Sequence, residues 1–195
     1  MVATCEFTTS EAAAVTEQPV NRIQRFIDAG PIPRRMREGE RPVRVLTDAD
    51  LMFVWVIARA FAETDLDAGL KALLHERIAA SRTGPCAVGA DEVRINPFLA
   101  VRGLRRLIAD LRSRVELLEK ARTVVVSNPK IKGGEPVLRG TRIPVYLVAA
   151  MLDQGSSTAE IVASYPSLDA ERVELARVFA SANPKQGRPP KHPWH

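Results

Sequence analysis

The chain has 195 residues, 26% of them charged, and a formal net charge of +5 from 28 Lys and Arg against 23 Asp and Glu. That length suits one or two small domains with modest cores, and the basic balance favours polyanionic partners. No stretch approaches the roughly 18 consecutive apolar residues of a membrane span, the amino-terminal segment lacks the basic and apolar regions of a signal peptide, and Cys5 and Cys86 stand far apart in no ligand spacing, so a soluble cytoplasmic protein with free thiols is expected.

Thr8, Thr9, Ser10 and Glu11 read as a capping box in which Thr8 accepts from the Glu11 amide and Glu11 reaches back. A short helix through Val15 should follow, and Thr16, Glu17 and Gln18 form a turn. Pro19 suits the first turn of a second helix, where its missing N–H costs nothing; that helix should end at Gly30. Val20, Ile23 and Ile27 fall at i, i+3 and i+7 and make an apolar face. The other side carries Asn21, Arg22, Gln24, Arg25 and Asp28. Two helices about a tight turn, the second with this outer face, form a helix-turn-helix arrangement. Arginine pairs bidentately with guanine, and Asn or Gln with adenine.

After Pro31, Ile32 and Pro33 comes a basic run with Arg34, Arg35, Arg37, Arg41 and Arg44. Such a loop behind a recognition helix reads as a wing along the phosphate backbone. Thr47 caps a third helix, 48–61, whose LMFVWVIA run is apolar almost all round. That helix is core, with contact on more than one side, which would suit a dimer. The order helix, turn, helix, basic wing, helix resembles the winged-helix DNA-binding domain of MerR-like regulators. The DNA-binding set is then Asn21, Arg22, Gln24, Arg25, Arg34, Arg35, Arg37, Arg41 and Arg44. Exposed arginines elsewhere are often merely solvated; the wing and the polar set together favour DNA.

Residues 66–78 form an amphipathic helix, and 81–96 are looser, with Gly84, Pro85, Gly89 and a strand candidate at 93–95. Pro97 is expected to open a longer helix reaching about Arg122. Its stripe of Leu104, Leu107, Ile108, Leu111, Val115 and Leu118 is either core or a subunit contact. Arg102, Arg105, Arg106, Arg112 and Arg114 crowd its polar side as a solvated face. Residues 124–127 read as a strand that can pair with Val137 and Leu138.

Residues 128–168 read NPKIKGGEPVLRGTRIPVYLVAAMLDQGSSTAEIVASYPSL. The run GEPVLRGTRIPV, then a helix, then G-S-S-x-x-E-I and Y-P-S-L, resembles the signature of a small helical domain of VapB-type antitoxins. Three helices are expected, 145–154, 158–164 and 169–182, with Ser157 or Thr158 capping the second. The last carries Asp169, Glu171 and Glu174 against Arg172 and Arg177, and acids near its amino end repel phosphate. DNA reading therefore goes to the amino-terminal half, and this domain to packing, oligomerisation or toxin contact. Arg139 and Arg142 are candidates for a contact surface.

Asn183 and Pro184 end the last helix, and KQGRPPKHPWH follows with no acid and no apolar face. It is suited to an extended course that orders on a partner. The antitoxin resemblance implies that this tail inhibits a PIN-like ribonuclease toxin, whose active site gathers carboxylates around divalent metal. Arg188 is then the guanidinium inserted among those carboxylates, Trp194 a packing anchor, and Lys185, Pro189 and Lys191 further toxin contacts. In a rival reading Gly187, Arg188 and Pro189 match the core of a minor-groove AT-hook, with Gln186 where an arginine is usual. A third is a solvated basic terminus.

The fold expected is mainly α: a winged helix-turn-helix domain (1–80), a linker with a long helix (81–122), a three-helix domain with a short β-hairpin (123–182), and an extended tail (183–195). The expected function is an antitoxin that represses its own operon, binding operator DNA as a homodimer or higher oligomer. The alternative is a stand-alone MerR-like transcription regulator. No catalysis, cofactor or metal is expected, since His75, His192 and His195 show no partner spacing and no Gly-rich phosphate loop appears.

Overall fold

A computed structural model describes residues 6–39, 42–81, 83–86 and 91–185. The fold is mainly α, with eight helices among the described residues and short antiparallel strand pairs. The chain divides into two compact units, Met1–Glu119 and Lys120–His195.

In the first unit β1 (Phe7–Thr8) leads into α1 (Thr9–Thr16), and the expected capping box is formed. Thr8 Oγ1 accepts from the Glu11 amide at 3.2 Å, and Glu11 Oε2 accepts from the Thr8 amide at 2.8 Å. Phe7, just before the cap, and Ala12, four residues after it, are both fully buried, the positions of a hydrophobic staple. α2 (Val20–Asp28) follows with Pro19 as its N-cap. Its buried face is Ile23, Phe26 and Ile27, whereas Val20 stays 36% exposed. The expected stripe thus had the right direction but the wrong end member: Val20 sits in the unpacked first turn, and Phe26 closes the face against Phe53, ring centroids 5.4 Å apart.

β2 (Met36–Arg37) and β3 (Val43–Leu46) make the wing, and β1 adds on the other edge of β3, in the order β1-β3-β2. The pairings are antiparallel, with Phe7 opposite Leu46 and Met36 opposite Arg44. α3 (Asp48–Ala60) opens on a second capping box, Thr47 with Asp50. Every residue from Leu51 to Ile57 is at most 3% exposed within a single chain. The apolar circumference of α3 is therefore covered by the chain's own packing and needs no second copy. α4 (Ala68–Ala80) starts two residues later than expected because Asp67 caps it, accepting from the Leu70 amide at 2.9 Å.

The strand expected at 93–95 forms as β4 (Glu92–Asn96), but instead of opening a long helix the chain returns as β5 (Leu99–Arg102), and the resulting β-hairpin packs against α4. Pro97 does not open a helix. Asn96 Oδ1 accepts from the amides of Phe98 and Leu99 at 2.9 and 2.8 Å, a local side-chain turn that reverses the chain. Val93, Ile95 and Val101 are buried between half-buried or exposed neighbours, the period of a half-buried strand. α5 (Leu104–Val124) begins only after this hairpin. Leu104, Ile108, Leu111, Val115 and Leu118 are each at most 6% exposed and Leu107 is half-buried, so the stripe left open between core and subunit contact is mainly core.

In the second unit β6 (Val125–Val126) pairs antiparallel with β7 (Val137–Leu138), as expected, around a 3-10 turn at Lys132–Gly134. α6 (Val145–Asp153), α7 (Thr158–Ser164) and α8 (Ala170–Ala182) follow. Pro144 precedes α6 as its N-cap, and Gly155 (φ +93°) turns the chain after it, where a Cβ would cost about 1–2 kcal/mol. Ser157, rather than Thr158, caps α7 in a third capping box with Glu160. The core is wholly apolar: Val125, Leu138, Val145, Val148, Ile161, Leu168, Val173 and Ala176. The Tyr146 hydroxyl donates to the Asn183 carbonyl at 2.8 Å and ties the end of α8 to the start of α6.

No helix among the described residues is long and apolar enough to cross a membrane. Nor does any group of three or more His, Cys, Asp and Glu among them converge for a metal ion.

Candidate nucleic-acid interface

The geometry of α2 is set from beneath and from its leading turn. Ile23, Phe26 and Ile27 anchor it, which turns Asn21, Gln24 and Arg25 outward, all three exposed. The turn before it rests on Glu17, a non-glycine residue with φ +53°. Its carboxylate holds Arg59 of α3 at 2.7 Å and Arg114 of α5 at 2.8 Å. Those guanidiniums lie over the Trp55 ring, 4.3 and 5.2 Å from its centroid, a cation–π arrangement. The hydrogen bond from Arg114 holds the Glu17 carboxyl below the usual range, against the opposing effect of burial.

The wing is anchored by a buried charge that the sequence reading did not anticipate. Asp50 is fully buried at the third position of α3. It accepts from Arg35 at 2.6 Å, from the Thr47 amide and hydroxyl at 2.8 and 2.9 Å, and it lies 2.6 Å from His75 Nε2 of α4. Burial opposes its ionisation, but the bonds from His75, Thr47 and Arg35 outweigh it and hold the carboxyl below its ordinary value. A capping-box acid directly before an unbroken apolar helix was the available signal: its carboxylate had to be buried and had to find partners. Nearby, Asp48 accepts from the Cys86 amide at 3.0 Å, and burial pushes its carboxyl up. A Cβ on Gly84 would fall inside that carboxylate, so this contact needs glycine.

The nine predicted DNA-binding residues separate into distinct environments. Arg35 is bound to Asp50, which makes it a tether of the wing rather than a free phosphate ligand. Arg34 and Arg44 share Asp28 at 3.3 and 3.1 Å across the surface. Arg22 donates to Gln18 at 2.7 Å and is half-buried. Arg25 on α2 and Arg37 on β2 are exposed and donate to no described side chain. Asn21 and Gln24 lie beside Arg25 on the outer face of α2. Arg41 lies outside the described residues. The structure therefore brings Asn21, Gln24 and Arg25 together on one helix, with Arg37 on the wing.

In the second unit the basic turn residues are held differently. Arg139 Nε donates to the Thr123 carbonyl at 2.9 Å, and the Arg139 carbonyl accepts from Arg172. Arg142 is exposed and has no partner among the described residues. On α8 Arg177 pairs with Glu174 and Arg172 with Asp169, so both arginines of that helix are already paired with acids. Lys185 pairs with Glu135 at 3.1 Å and lies 5.7 Å over the Tyr146 ring, which fixes the point where the chain leaves α8. Arg188, Pro189, Lys191 and Trp194, the other predicted toxin contacts, lie outside the described residues.

Comparison with known proteins divides the chain in the same way. Residues 125–180, which span β6 to the last turn of α8, match the family described as protein of unknown function (DUF433). No solved structure matches the chain. The uncharacterized protein y4eO of Sinorhizobium fredii is 34% identical over 182 residues, covering 92% of this chain and 82% of that protein, so both units are shared with it. With that likeness over most of both lengths, the chain belongs to the same family as y4eO.

Proposed function

We propose that this chain is a DNA-binding antitoxin that represses its own operon, with the first unit reading operator DNA and the second, with its tail, engaging a ribonuclease toxin. The observation that carries the DNA half is the joint placement of α2 and the wing. A helix pair is backed by a three-stranded antiparallel sheet, and its second helix and β2 leave Asn21, Gln24, Arg25 and Arg37 exposed. Those are the side chains suited to base edges and phosphates. The anchors Asp50 and Glu17 hold both elements, so little ordering cost falls on binding.

The toxin half is supported by the resemblance of residues 128–168 to the domain of VapB-type antitoxins; Lys185, paired with Glu135 within the chain, would have to leave that partner to contact a toxin. The toxin expected is a PIN-like ribonuclease, and Arg188 is the residue assigned to its carboxylates. A homodimer, whose two-fold axis would match a two-fold DNA site, is the assembly expected here. No catalytic residue is assigned: His75, the one histidine among the described residues, is engaged with buried Asp50.

The test is co-purification of the full chain, and of a chain truncated after Ala182, with the product of the neighbouring gene. Capture of a small nuclease by the full chain alone supports the antitoxin reading and assigns inhibition to the tail. Capture of nothing by either chain, together with specific DNA binding, replaces it with the stand-alone MerR-like regulator.

A further inference from the structure

A cavity of about 550 Å³ opens in the first unit where the end of α2 meets the end of α3 and the start of α4. Its volume is in the range of small-molecule sites. Phe26, Ile57, Phe61 and Leu66 supply an apolar wall, and α4 edges the cavity with Ala68, Lys71 and Ala72. Three cations and one acid, Arg22, Arg25, Lys71 and Asp65, also line it. Lys71 and Asp65 neutralise each other at 2.7 Å. Arg22 donates to Gln18 and its charge also acts on Asp65, whereas Arg25 donates to no described side chain. The cavity therefore joins an apolar wall to one guanidinium, that of Arg25, without an acid partner among the described residues.

We propose that this cavity binds an amphipathic monocarboxylate, an apolar body bearing one carboxylate, and that the ligand releases DNA by engaging Arg25. An apolar body fills the space between Phe26, Ile57 and Phe61. The carboxylate accepts a bidentate pair from the Arg25 guanidinium, the geometry that arginine provides and lysine does not. A dianion would face Asp65, and a neutral molecule would leave Arg25 unanswered; one negative charge fits best. Arg25 is also on the exposed face of α2, so the same guanidinium cannot serve ligand and DNA together. This second clause rests on the DNA-binding reading above; the first does not. The coupling must be reciprocal, DNA weakening the ligand by the factor by which the ligand weakens DNA.

The experiment titrates the full chain with 3-phenylpropanoate and octanoate, using 3-phenylpropanamide as the neutral control, first without DNA. Saturable binding is expected with Kd of about 1 mM or tighter, with amide resonance shifts confined to α2, the end of α3 and the start of α4. The amide should bind at least about tenfold more weakly, a factor that corresponds to the loss of one charged hydrogen-bonded pair. Arg25→Leu should remove the preference for the acid, and Ala72→Trp, an exposed position outside the DNA set, should remove binding by filling the cavity. Failure of both acids to bind, equal binding of the amide, or unchanged binding to Ala72→Trp overturns the site. The DNA arm is then separate. Saturating acid should lower operator affinity of the wild type and not of Ala72→Trp. Unchanged operator affinity with a filled cavity overturns the coupling alone, and absence of any DNA binding refutes the functional reading while leaving the ligand site standing.

Discussion

The chain contains two helix-turn-helix arrangements built on the same local rules, and they part company at their surfaces and in their cores. α1 and α2 are introduced by the Thr8–Glu11 capping box and joined at Glu17, which has φ +53°. α6 and α7 are joined at Gly155, φ +93°, and continued by the Ser157–Glu160 capping box. The first arrangement stands on a core that includes a buried ionic cluster at Asp50, and leaves Asn21, Gln24 and Arg25 outside. The second stands on a wholly apolar core, and the cations of α8 are taken up by Asp169 and Glu174. Two helix pairs built on the same backbone rules thus present different surfaces. On α2, the proposed reading helix, Arg25 is left unneutralised by its neighbours, whereas on α8 Arg172 and Arg177 are paired with acids.

The difference in cores can be broken most forcefully at Asp50. Asp50→Ala leaves Arg35, His75 and the Thr47 amide without their shared acceptor, and removing one member of a buried ionic cluster costs about 3–5 kcal/mol. We expect the first unit to lose that much in urea unfolding, and the wing to lose its tether at Arg35. The corresponding lesion in the second unit is Ile161→Ala, a fully buried side chain in an apolar core, expected to cost about 2–4 kcal/mol. The two variants should differ in kind. Asp50→Ala should abolish DNA binding along with stability, whereas Ile161→Ala should leave operator affinity intact. Equal loss of DNA binding in both would mean that the units do not divide the work as proposed.

The surface difference is sharpened by Arg25. Arg25→Ala should lower operator affinity by about 1–3 kcal/mol, the value of one bidentate base contact, with urea stability unchanged because the side chain is exposed and unpaired. Arg177→Ala on α8 is the matched control. It should leave operator affinity where it was, since its guanidinium is already bound to Glu174. A loss of DNA affinity in the α8 variant, with none at Arg25, would move the reading surface to the second unit.

Much of this difference was legible in the sequence, and the part that was not has a physical pattern. The three caps and the strand pairing of residues 125–126 with 137–138 follow from local signals, a polar cap three residues before an acid and β-branched runs about a Gly turn. The acidic start of α8 was equally plain from Asp169, Glu171 and Glu174. The first strand of the hairpin at 92–102 was read at 93–95, but its return strand was missed because Pro97 is compatible both with a helix start and with a turn. The Asn96 side-chain hydrogen bonds that decide between them are not encoded by periodicity. β1 was missed because a two-residue strand exists only through its partner β3, and Val20 was preferred to Phe26 because spacing ignores which turn is packed. The cluster of Arg35, Asp50 and His75 joins residues 15 to 40 apart in sequence, a nonlocal satisfaction of buried charge. That same contact divides the arginines, which composition had treated as one set.

The smallest effect tests how the two turns are closed. Glycine holds the left-handed conformation at Gly155 without strain, whereas Glu17 holds it as a non-glycine residue with two arginines on its carboxylate. Both ion pairs are half exposed to solvent, so Glu17→Gln should cost no more than about 1 kcal/mol at neutral pH. The sign with pH is fixed by the direction of the shift. The folded-state pKa of Glu17 is depressed, chiefly by the Arg114 hydrogen bond. Its contribution is therefore fully present above the unfolded carboxyl value near pH ~4.3 and is lost as pH falls through the lower, folded value. The stability gap between wild type and Glu17→Gln should accordingly be constant from neutral pH down to about pH 5 and close below it. It should also narrow with added salt, as partly exposed pairs are screened. A gap that persists unchanged into acid would mean that the turn is held by backbone fit and the α1 packing beneath it. Arg59 and Arg114 would then be anchored by Trp55 alone, and the first turn would be closed by the same kind of force as the second.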